Sequence, residues 1–168
     1  MTATKIIGLG NSLAGDDAVG NIVARQLLPY QSPSIFILEG GLAGLNLLHE
    51  MEKTERLLLI DSVYSRSDPG TIVRLTIPRD LTAIGNLTWG SSSPSTHAFG
   101  VGEALTLANA LELLPKQVIL YGIELGHIQP GESMSPQVSQ SIQSVVLRIV
   151  TEDLNDPVCT NSTVNTRR

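Results

Sequence analysis

At 168 residues, with 42% apolar and 16% charged side chains, the chain suits one globular domain that needs neither disulfides nor a structural metal. A net charge of −5 argues against broad nucleic-acid binding, and the single cysteine, Cys159, can make neither an internal disulfide nor a thiolate-rich metal site. No run approaches the roughly 18–20 apolar residues of a membrane-spanning helix, and the few before Gly8 are too short for a secretory signal. The expectation is a cytoplasmic monomer with no nucleic-acid or membrane partner.

Along the chain, short apolar runs alternate with amphipathic ones. Lys5–Leu9 reads as a strand. It is followed by Gly10-Asn-Ser-Leu-Ala-Gly15-Asp16-Asp17 and a helical pattern from Asp17 to Leu28. Nucleotide-binding proteins place glycines at such a turn so that backbone N–H groups and a helix N-terminus can meet phosphate. Here Gly15 is followed by two aspartates instead of Lys-Ser/Thr, and Leu13 occupies the place of the third glycine of a dinucleotide fingerprint. Two carboxylates at this turn repel phosphate and attract a cation.

A second strand is expected at Ser34–Leu38, a helix at Ala43–Lys53 and a third strand at Leu57–Ile60. Leu57-Leu-Leu-Ile60 has no polar position, as expected of a strand covered on both faces. The connection Ser62–Gly70 is too short for a helical crossover, so the strand at Thr71–Ile77 is expected to run antiparallel at a sheet edge. Arg79–Thr96 reads as a long polar loop ending ahead of His97. A helix at Ala98–Leu114, a strand at Gln117–Ile123 and a helix at Ser135–Thr151 complete the pattern. This order implies an α/β three-layer sandwich: a five-stranded, mostly parallel sheet, one antiparallel edge strand and helices on both faces. Residues 1–154 are read as a single domain and 155–168 as a disordered tail.

Ligands of such sheets bind beyond the carboxyl ends of the strands, where strand order reverses. With the first strand central, that crevice lies between the strands ending at Leu9 and Ile60. Asp17, Glu39, Asp61 and Glu124 follow strands on this edge, and His97 ends the long loop. Each has a plainer reading. Asp16 or Asp17 suits a helix N-cap, Asp61 a turn, and His97 a hydrogen-bonded structural histidine. Glu39 and Glu124 suit bonds to neighbouring backbone amides. Taken together, Asp17, Asp61 and His97 form an O, O, N set suited to a first-row divalent metal. A helix N-terminus beside His97 would keep it neutral, as a ligand must be.

Gly8-Leu-Gly-Asn11 with Gly15-Asp-Asp17 and Gly20 resembles the signature of the NiFe-hydrogenase maturation endopeptidases. The resemblance continues through Glu39-Gly-Gly-Leu-Ala-Gly-Leu45, Leu59-Ile-Asp61, the serine-rich loop into His97, Tyr121-Gly-Ile-Glu124 and Ser133-Met-Ser-Pro-Gln-Val138. It covers roughly residues 5–150, in order. It implies an endopeptidase that trims the C-terminal extension of a hydrogenase large-subunit precursor after nickel insertion, just beyond the nickel-binding cysteine motif. The metal-contacting and catalytic positions it implies are Asp17, Asp61 and His97. The nickel is supplied by the precursor, and no nucleotide takes part. Two positions depart from the pattern: the family often has glutamate where this chain has Asp17, and many members have threonine at the place of Leu42. A non-catalytic nickel or precursor carrier using the same crevice is the alternative, and a nucleotide-binding module a third reading.

Overall fold

Strand β3 (Arg56–Tyr64) is the axis of the sheet, flanked by parallel β1 (Thr4–Leu9) and parallel β6 (Gln117–Glu124). Its residues Leu57 to Ile60 are all fully buried because successive side chains enter opposite layers. Leu57 and Leu59 join one core, Leu58 and Ile60 the other. Each such buried side chain contributes about 1.5–3 kcal/mol relative to exposure. Beyond β1 lies β2 (Ile35–Gly41), also parallel, and beyond β6 lies β4 (Ile72–Ile77), the antiparallel edge expected from its short connection. The strand order is therefore β2-β1-β3-β6-β4, with the two-residue β5 (Thr88–Trp89) paired antiparallel to the end of β3.

This computed structural model describes residues 4–41, 45–52, 54–89, 100–127 and 131–155. Helices α1 (Val19–Leu27) and α5 (Pro136–Arg148) pack on one face; α2 (Leu45–Met51) and α4 (Val101–Ala110) cover the other. The three-layer sandwich is as the alternation implied. Among the described residues, no helix is long and apolar enough to cross a membrane.

Several boundaries differ from expectation, for physical reasons. β3 does not stop at Ile60, because β6 continues beside it and pairs Asp61 with Gly122, Ser62 with Ile123 and Val63 with Glu124. Asp61 is therefore inside a strand, not in a turn after it. Glu39 and Glu124 likewise lie within β2 and β6. The expected polar loop contains a short helix, α3 (Leu81–Ile84), and β5, before passing outside the described residues at 90–99. The last helix runs on as a π-helical turn, Ile149–Leu154, closed by Asn155. Residues 156–168 of the expected tail, with Cys159, lie outside the described residues, as does Leu42.

Two glycines set the height of α1 above the sheet. A Cβ at Gly20 would stand 2.4 Å from the carbonyl oxygens of both Ile60 and Leu9, and one at Gly8 2.2 Å from the carbonyl of Gly20. Only bare backbone fits there, so α1 rests directly on β1 and β3.

Candidate active site

The order β2-β1-β3 puts the reversal of connections between β1 and β3, where the sequence placed the crevice. Leaving β1, the chain turns at Gly10, whose φ of +117° and close approach to the Asp17 carbonyl exclude a side chain. The loop then knots on itself. Leu13 N–H donates to Asn11 Oδ1 and Ala14 N–H to the Asn11 carbonyl. Buried Asn21 of α1 donates through Nδ2 to the Gly10 carbonyl and to Ser12 Oγ. The loop ends in a 3-10 turn, Gly15–Ala18, which carries both aspartates ahead of α1.

These neighbouring aspartates do different things. Asp17 faces the sheet: Oδ1 accepts from Ser62 Oγ at 2.7 Å and Oδ2 from Asn11 N–H at 2.8 Å. Asp16 faces away, with Oδ1 accepting from Ser135 N–H at 2.6 Å. Its Oδ2 accepts from Gly126 N–H at 2.7 Å, His127 N–H at 3.1 Å and Ser135 Oγ at 2.9 Å. Burial works hardest against its ionisation, but these donors together outweigh burial and hold the carboxyl below the ordinary aspartate range. Asp16 therefore does not cap its own helix. Its carboxylate serves the far loop and Ser135, the residue that opens α5.

Asp61 is fully buried, one residue from the Ser62 that binds Asp17. Its Oδ1 accepts from Ser62 N–H at 2.8 Å, while Oδ2 has no partner. Burial, then the negative charge of Asp17, holds this carboxyl well above the ordinary aspartate range, against the opposing pull of the Ser62 N–H. Among the described residues, Asn21 Oδ1 is the other buried side-chain oxygen or nitrogen left without a partner. An unmet buried polar group costs about 1–3 kcal/mol, and the Asp61 oxygen is open to a partner that the described residues do not supply.

The two glutamates resolve differently. Glu124 accepts from Ser65 N–H through both oxygens, at 2.8 and 3.0 Å, and from Ser65 Oγ at 2.7 Å, and so holds the turn after β3. This is the backbone-amide role the sequence suggested. Glu39 instead pairs with Arg25 of α1 at 2.7 Å, near the surface. His97, the third member of the expected set, lies outside the described residues. Thus Asp17 and Asp61 come together, and Ser62 links them. Sequence reasoning missed Ser62, although its position one step beyond Asp61 in a strand places it on the α1 face.

A family model described as hydrogenase maturation protease matches residues 22–152. The hydrogenase 2 maturation protease of Escherichia coli K12 is 28% identical over 148 residues, covering 86% of this chain and 87% of that protein. The hydrogenase expression/formation protein HupD of Thiocapsa roseopersicina is 29% identical over 147 residues, covering 84% of this chain and 63% of that longer relative. Among solved structures, the hydrogenase maturating endopeptidase HybD from E. coli shares the fold with a TM-score of 0.75 at 23% identity, over 90% of this chain and 91% of that one. The NiFe hydrogenase maturation protease HybD from Thermococcus kodakarensis gives 0.69 at 25% identity, over 92% and 100%.

Proposed function

Because the chain belongs to the hydrogenase maturation protease family, we propose that it is the endopeptidase that removes the C-terminal extension of a NiFe-hydrogenase large-subunit precursor once nickel is in place. On this reading it acts in the cytoplasm as a monomer, and the nickel arrives on the substrate. Asp17, Asp61 and His97 meet the metal.

The observation that carries the reading is the state of Asp61. Its Oδ2 is buried without a partner, and its charge is disfavoured by burial and by Asp17. A divalent cation delivered by the precursor supplies what this oxygen lacks and turns repulsion between the two carboxylates into joint attraction. A precursor without metal brings no such partner, so the crevice discriminates filled from empty substrate through a term it cannot satisfy alone. Asp17 is held for this by Asn11 and Ser62, while both its oxygens keep lone pairs for a ligand. The bond to be hydrolysed follows the precursor's metal-binding motif, so fixing the metal fixes the scissile peptide beside the carboxylates.

The test is incubation of purified protein with nickel-loaded and metal-free precursor, read by intact mass. Peptide release from the loaded form alone is expected. Asp17→Asn, Asp61→Asn and His97→Ala should each slow release by about 10²-fold or more, the scale of losing a positioned catalytic group, with circular dichroism unchanged. Full release by all three variants would remove these residues from the reaction. Binding of loaded precursor without release would make the protein a carrier.

A further inference from the structure

Asp16 is buried, carries four hydrogen bonds, and has no part in the reaction just described. Its donors lie 110 to 119 residues away in sequence, in the segment between β6 and α5. Three of the four are backbone N–H groups, so the tie is to the course of the chain more than to particular side chains. Ser135 gives its hydroxyl to Asp16 and makes no side-chain bond to the helix it opens. A second join lies close by, where Gly131 N–H donates to the Leu13 carbonyl at 3.1 Å.

The geometry of the 3-10 turn gives this tie a consequence. At three residues per turn, adjacent side chains point about 120° apart. With Asp16 fastened outward by four bonds, the turn cannot rotate about its axis, and Asp17 is directed at Asn11 and Ser62. We propose that Asp16 is a positioning residue: it clamps the glycine loop to the segment ahead of α5 and thereby fixes the aim of Asp17. The clamp rests on the protease reading only for its effect on rate; its mechanical part does not depend on that reading.

The experiment compares the full chain with Asp16→Asn, Asp16→Ala and Ser135→Ala by amide hydrogen exchange and by cleavage of nickel-loaded precursor. In the parent, the Asn11 amide donates to Asp17 Oδ2 although the Asn11 residue itself is exposed, so slow exchange there would report on Asp17. Loss of the clamp should raise exchange at Asn11 together with Gly126 and His127, while β3 and α1 stay protected. It should also lower kcat about tenfold or more with KM within about twofold, as expected when a reacting group is misaimed without loss of binding. Ser135→Ala, which removes one of the four donors, should fall between parent and Asp16→Asn. Should Asp16→Ala not fold, the other two variants decide the matter.

Unchanged exchange at Asn11 in Asp16→Asn would overturn the proposal. So would uniform loss of protection with kcat per folded molecule intact, since that describes general destabilisation. If the parent itself releases no peptide, the protease reading fails, and the exchange comparison still judges the clamp.

Discussion

Asp61 weakens the fold it belongs to. Its folded-state pKa lies above the ordinary 3.8, so between that value and the raised one the folded chain binds more protons than the unfolded chain. Stability therefore falls as pH rises through this window. Asp61→Asn should be more stable than the parent at pH 7, by about 1–3 kcal/mol, the usual cost of an unmet buried polar group. The gain should shrink as the parent's carboxyl regains its proton and be nearly gone by about pH 4. Urea denaturation of both proteins at several pH values checks this, and a parent as stable as the variant at pH 7 would refute it. The pairing of Asp17 with Asp61 was legible in the sequence, because both follow apolar strand-like runs on one sheet edge. The division of labour between Asp16 and Asp17 was not. Adjacent identical residues differ only in which way a 3-10 turn faces, and the donors that Asp16 meets, from Gly126, His127 and Ser135, lie 110 to 119 residues away.

At the level of elements, the sequence spoke clearly where periodicity was strong. The run Leu57 to Ile60 marked β3 as a strand covered on both faces, and the short link after it placed β4 at an antiparallel edge. The sequence, however, centred the sheet on β1, where the structure centres it on β3. The extension of β3 through Asp61-Ser-Val-Tyr64 was hidden, because an acid and a serine after an apolar run look like a turn. Pairing with β6 decides otherwise, and no local pattern reports it. The contact of α1 with the sheet makes a sharper prediction. Gly20→Ala would drive a methyl group into two main-chain carbonyls that have no rotamer to yield. The change should destabilise the protein by about 1–3 kcal/mol or more, the range for overpacking, and displace the loop that α1 carries. Thermal unfolding and cleavage rate measure the two effects, and an unperturbed variant would contradict the contact.

Across the whole molecule, a buried knot far from the crevice holds the end of the described chain to three strands. Asp153 of the π-helical turn accepts from Arg56 of β3 at 2.8 Å, Arg74 of β4 at 2.7 Å and the Tyr121 hydroxyl of β6 at 2.5 Å. Arg56 also donates to the Asp153 main-chain carbonyl. Burial, then the bond to Asp153, raises the Tyr121 phenol well above its ordinary range, so it stays a proton donor there. Asp153→Ala should cost about 3–5 kcal/mol, as for breaking a buried ion pair, seen as a lower urea midpoint. A midpoint equal to the parent's would show that the knot is not needed. Nothing in the sequence marked Asp153, which falls between the expected end of the last helix at Thr151 and the expected tail from residue 155.

Asp153 is one of five buried acids among the described residues, with Asp16, Asp17, Asp61 and Glu124. Among the cations of the described residues, only Arg56 is buried with them. Among the described residues, the interior thus carries a formal net of four negative charges, five acids less Arg56. Burial does not hide that charge from the outside, because the long-range field is the sum over all charges of the molecule and fades with ionic strength. Encounter with a cationic partner should therefore slow as salt is added, and association rates unchanged between low and high salt would refute this.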